Sequence, residues 1–94
     1  MTGAVTLDGE LTIVAAAEHH ARLRTALADA GPVEVDLSGV TELDTAGLQL
    51  LLAARRDAVQ RGHRLTFRAP SRVVRDVFAL AHLDRVLDDP HATI

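Results

Sequence analysis

The chain has 94 residues, a formal net charge of -3 and no cysteine, which fits one domain over residues 1–94 and leaves no means for a disulfide framework or a thiolate metal site. With an acidic balance and Phe67 and Phe78 as its only aromatic residues, it lacks both the positive surface that phosphate backbones attract and a platform for stacking bases, which excludes nucleic acid as the expected partner. No apolar run of about 18 residues exists and no basic stretch precedes the first apolar residues, so the sequence predicts neither membrane insertion nor a signal peptide, and the expected location is the cytoplasm.

In chain order, Val5 and Leu7 alternate with polar neighbours, Asp8-Gly9 follows, and Leu11 and Ile13 alternate again. Asp-Gly suits a type I′ turn, so the pattern predicts an antiparallel β-hairpin. Residues 16–30 place Ala16, His20, Leu23, Leu27 and Ala30 on one helical face, and Gly31-Pro32 stops the helix. Val33, Val35 and Leu37 then alternate with Pro32, Glu34 and Asp36 in a strand that buries one face. A polar loop is expected over residues 38–43, followed by a longer helix with Leu48, Leu51, Leu52 and Val59 inward and Gly62 at a left-handed cap. Leu65 and Phe67 mark a further half-buried strand, and Pro70-Ser71 precedes a third helix whose stripe is Val73, Val74, Val77, Phe78 and Ala81. A short strand or turn over residues 85–87 closes the chain.

This order of elements is α/β. Sheets covered on both faces have strands that are apolar throughout, whereas these alternate, so helices on a single side are expected. If every right-handed crossover steps the same way, the result is a one-sided βα superhelix with a mostly parallel sheet, opened by the hairpin.

The most informative stretch is Asp36-Leu37-Ser38-Gly39-Val40 followed by Leu43-Asp44-Thr45-Ala46-Gly47-Leu48. A buried strand ends in a polar turn, and Asp44 or Thr45 can accept hydrogen bonds from the free amides that begin the next helix. Thr45 therefore sits at a positive helix end, where a phosphate would gain from dipole and amides, while the small Ala46 and Gly47 would let another protein approach the backbone. Read without further information, Asp and Thr at such a place are helix caps.

These residues resemble the motif of STAS domains, the family of anti-sigma factor antagonists. The likeness extends to Leu7-Asp8-Gly9-Glu10-Leu11, to Arg61-Gly62 and to the ending from Ser71 to Leu87, nearly the whole chain. The resemblance implies the STAS fold and a non-catalytic regulatory module that docks to a protein partner, an anti-sigma factor that is also a kinase or another signalling protein. In such antagonists a serine directly before the Gly-Leu pair is phosphorylated and the complex breaks. Here that position is Ala46, and Thr45 is the candidate phosphoacceptor. The partner-binding set implied is Asp36, Ser38, Asp44, Thr45, Ala46, Gly47 and Leu48, with Arg55 added one long turn beyond Leu51. The Asp-Thr-Ala-Gly-Leu form also resembles two STAS subgroups, chemotaxis-associated proteins and the accessory subunit of a phospholipid-transporting ABC ATPase, which is the alternative reading.

Other chemistry finds less support. His19 and His20 are neighbours about 100° apart on a helix, while His63, His82 and His91 fall in different elements, so no metal set is expected. Asp36 and Asp44 lack a nucleophile and orienting group at triad-like spacing, so they read as turn and cap residues and not as catalytic ones. There is no phosphate-cradling glycine motif and no lysine, which leaves only weak nucleotide binding at the Thr45 helix end or a small enzyme as a third reading, and no cofactor is implied. Arg55, Arg56, Arg61 and Arg64 read as a solvated helix face.

Overall fold

The computed structural model describes residues 3–28, 31–90 and 92. Its elements are β1 (Gly3–Thr6), β2 (Gly9–Leu11), α1 (Ala16–Ala28), β3 (Val33–Asp36), β4 (Val40–Leu43), α2 (Thr45–Gln60), β5 (Leu65–Arg68), α3 (Arg72–Leu80) and α4 (Asp84–Asp88). The strand order is β1-β3-β5 in one sheet and β2-β4 in a second ladder, and every pairing is parallel.

β1 and β2 do not form a hairpin. A type I′ turn needs positive φ at both central residues; Gly9 has φ +72 and Asp8 is not in that region, so the chain bends at Asp8-Gly9 without reversing. β2 consequently runs on from β1 and lies beside β4 as β1 lies beside β3. Two hydrogen bonds carry the ladder through the bend, Leu7 N to the Asp36 carbonyl at 3.1 Å and Gly9 N to the Gly39 carbonyl at 2.9 Å. The expected loop over residues 38–43 shortens to a turn at Ser38 and Gly39, because the stretch Val40–Leu43, with β-branched Val40 and Thr41 and aliphatic Leu43, finds a partner strand in β2.

The alternation read in β3 and β5 is present. Val33, Val35, Leu65 and Phe67 are buried, while Glu34 and Arg68 on the opposite face are exposed. α1 packs on α2, α3 against β4, and α4 against α3 and β5. The core joins these strands to Leu7, Leu11, Leu23, Leu37, Leu51, Val74 and Phe78. Phe67 and Phe78 meet edge to face with centroids 6.2 Å apart, an arrangement favoured by the ring quadrupoles.

Helix phases depart from the expected stripes at three places. In α1 the buried residues are His19, Leu23 and Leu27, and His20 is exposed. The i, i+4, i+8 row faces inward because His19 finds a partner there, its Nε2 donating to the Glu10 carbonyl at 2.9 Å. In α2 the small Ala58 is buried and Val59 is exposed, which continues the row through Leu51 and Ala54. Gly62 has the positive φ of the expected cap, and Ser71 caps α3 by accepting from Val74 N. In α3, Val74 and Phe78 are buried and Ala81 is exposed. Residues 85–87 lie in the short helix α4, whose Val86 and Leu87 close the core. Ala30 and His91 lie outside the described residues.

Candidate functional site

The parallel strands β2 and β4 end side by side, with Leu11 opposite Leu43, and α2 starts two residues later. Asp44 joins the two chain segments. Its Oδ1 accepts from Gly47 N at 2.9 Å, capping α2, and its Oδ2 accepts from Ile13 N at 3.0 Å. The amide of Gly47 first, and that of Ile13 second, hold the Asp44 carboxyl below the usual carboxylate range. A cap that also grips the loop after β2 fixes where α2 begins.

Gly47 is buried and faces Leu11, not solvent. A methyl group on its Cα would overlap the Leu11 carbonyl and lie 2.8 Å from Leu43 Cδ1, so glycine is what lets the first turn of α2 lie on the backbone of β2. Leu48 is also buried. The expectation that Gly47 offers its backbone to a partner is therefore corrected: Gly47 and Leu48 build the site from beneath. Thr45 is exposed, and Asp44 and Ala46 are partly exposed. Because Asp44 takes the capping role, the Thr45 hydroxyl is left at the surface of a positive helix end.

Asp36 and Ser38 occupy a different place, the turn between β3 and β4. Asp36 Oδ1 accepts from the Ser38 hydroxyl at 2.7 Å and the Ser38 amide at 2.8 Å, and these bonds, the hydroxyl first, lower its pKa. The four residues of β4 put about 13 Å of strand between this turn and α2. Arg55 is also separate, only 4% exposed, with Nη2 donating to the Asp89 carbonyl at 3.2 Å. Buried and tied to Asp89, it does not share the surface of Thr45. Of the arginines grouped with it, Arg61 pairs with Asp57 in an exposed i, i+4 contact.

The sequence reading missed the neighbours that complete this end of the molecule. Ile13, which the alternation assigns to a strand, lies past the end of β2 in a turn over residues 12–15 closed by Ala15 N to the Thr12 carbonyl at 3.1 Å. Ile13 and Val14 are 71% and 84% exposed. Among the described residues no three His, Cys, Asp or Glu side chains are gathered as a metal set, and no helix is long and apolar enough to cross a membrane.

Three comparisons bear on this arrangement. No curated protein sequence matches the chain. Among solved structures, the anti-sigma factor antagonist SpoIIAA in its unphosphorylated form is similar, with a TM-score of 0.72 and 26% identity over 89% of this chain and 75% of that one. The family model described as "Mlab, STAS domain" matches residues 1–88. With the fold agreeing and all but the last residues covered, the chain belongs to the STAS domain family.

Proposed function

We propose that this STAS domain is a non-catalytic regulatory module of the anti-sigma factor antagonist type, working in the cytoplasm and docking to a protein partner through the N-terminal end of α2. One observation carries the reading: Thr45 is exposed at the start of α2 while Asp44, bonded to Gly47 and Ile13, takes the cap and holds the surface in place. A surface whose backbone is fixed before binding loses less conformational freedom on association. Thr45 is the proposed phosphoacceptor, since its hydroxyl is not the capping group and a phosphate there would lie beside the first-turn amides of α2.

Similarity to SpoIIAA, an anti-sigma factor antagonist, supports a kinase or anti-sigma factor as partner. The family description, which names Mlab, favours a second reading, the accessory subunit of a phospholipid-transporting ABC ATPase. Both use docking. A photo-crosslinking residue at position 45, with another at position 59 on the far part of α2 as control, tests the shared claim in cells of the source organism. Crosslinks to one protein from position 45 and none from position 59 are expected, and the captured protein decides between kinase and transport ATPase. Crosslinking from position 59 alone contradicts the proposal.

A further inference from the structure

Ile13 and Val14 have no folding role that accounts for them. Turns favour Gly, Pro, Asn, Asp and Ser at their central positions, yet this turn places two β-branched apolar residues there with most of their surface in water. A lone exposed aliphatic residue is ordinary; two adjacent ones on a turn held from several sides are not. Ile13 N is bonded to Asp44, Asp44 N donates to the Leu11 carbonyl at 3.4 Å, and the buried His19 grips the Glu10 carbonyl.

The charge around the turn is one-sided. Glu10 and Glu42 stand opposite each other in register on β2 and β4, both exposed, a like-charge pairing that opposes sheet formation. Among the described residues neither has an ion-pair partner. No arginine or lysine occurs over residues 1–21 or 25–54, and on α3, which packs against β4, Arg72 and Arg75 pair with Asp76 and Asp88. Three residues of chain span at most about 10 Å, so the carboxylate pair, the apolar turn and Thr45 lie within one interface radius.

Resting on the docking reading above, we infer that Ile13 and Val14 are the apolar anchor of the partner interface and that the partner is a protein face combining an apolar pocket with an arginine or lysine, the cation meeting Glu10 and Glu42. A rigid apolar anchor excludes water at the centre of such an interface, and the carboxylate pair supplies orientation and a salt-dependent association rate.

The test is an NMR titration of the whole 15N-labelled chain with a synthetic amphipathic helical peptide carrying leucines on one face and arginines beside them. The same peptide with glutamates in place of the arginines is the control. The arginine peptide should shift amides of residues 10–15 and 42–46, with affinity that falls as salt rises, and the glutamate peptide should not. Ile13→Ser with Val14→Ser should weaken binding at least about tenfold, and Glu10→Gln with Glu42→Gln should remove most of the salt dependence. Shifts centred elsewhere, no shifts, or a serine double variant that binds within about twofold of wild type overturns the inference. Vesicles of anionic phospholipid that shift the same amides also overturn it, in favour of a membrane surface. If the cellular partner is weakened by Thr45→Glu and indifferent to the serine pair, this inference fails and the Thr45 reading stands. The opposite result sinks the Thr45 reading alone.

Discussion

Replacing Gly47 by alanine sets two physical effects of opposite sign against each other. Gly47 lies in the first turn of α2, and helix propensity alone would make alanine better by about 1 kcal/mol. The added methyl, however, would enter the Leu11 carbonyl and press on Leu43 Cδ1. The first obstacle is backbone held in the β2–β4 ladder, so relief requires moving α2 off the sheet. Overpacking of this kind typically costs about 1 to 3 kcal/mol, and more where the obstacle is rigid, so a net loss of about 2 kcal/mol is expected after the propensity gain. For 94 residues, total stability is on the order of 5 to 14 kcal/mol, and such a loss lowers the melting temperature by about 10 °C. Urea unfolding followed by circular dichroism measures it. A Gly47→Ala variant as stable as wild type, or more so, would mean that α2 does not lie on β2 and that the surface around Thr45 is not built as described.

Leu51→Ala and Leu52→Ala should each cost about 2 to 5 kcal/mol in the same assay, because both side chains are buried on the inner face of α2; a loss under about 1 kcal/mol for both would contradict that placement. Arg55→Met should change stability by less than about 1 kcal/mol, since the cation is buried with its Nε lacking a hydrogen-bond partner among the described residues and an apolar side chain of similar length avoids that desolvation; partner affinity should not change, and a large loss of affinity would return Arg55 to the interface. Asp44 has a lower pKa folded than unfolded, so its contribution is present above the unfolded value of about 3.9 and disappears as pH falls through the folded value. The melting-temperature gap between wild type and Asp44→Asn should therefore be full at pH 6 and narrow below about pH 4, and a gap that widens on acidification would reverse the assignment.

The parts legible in the sequence are those decided by local chemistry. The alternation of Val33, Val35, Leu65 and Phe67 marks one-sided strands, Asp44 and Ser71 are the side chains that cap α2 and α3, and Gly62 has the positive φ that its place after α2 suggested. What escaped was set by distant partners. β2 and β4 have three and four residues, too few to display a period, and each is a strand because the other lies beside it. The apparent hairpin arose because Asp8-Gly9 serves a bend as readily as a reversal, and Ile13 read as strand because a β-branched residue two places after Leu11 fits an alternating pattern. His19 and His20 compete for one inward position, and the Glu10 carbonyl, provided by another element, decides it. At the candidate site, Thr45 and its cap could be read from the motif, whereas the inward turn of Gly47, the burial of Arg55 and the exposed turn at Ile13 and Val14 depend on tertiary contacts.

The central claim, that the surface at Thr45 is where a partner docks, is tested most directly by titrating the partner captured through position 45 against wild type, Thr45→Glu and Thr45→Ser in a calorimeter. Each variant is first shown to be folded by circular dichroism. The isolated domain should accept glutamate, because the helix end offsets part of the repulsion from Asp44. In the complex the new carboxylate would be desolvated and poorly paired, so affinity should fall at least about thirtyfold, or about 2 kcal/mol, while serine binds almost as wild type does. A folded Thr45→Glu variant that binds as tightly as wild type contradicts the account.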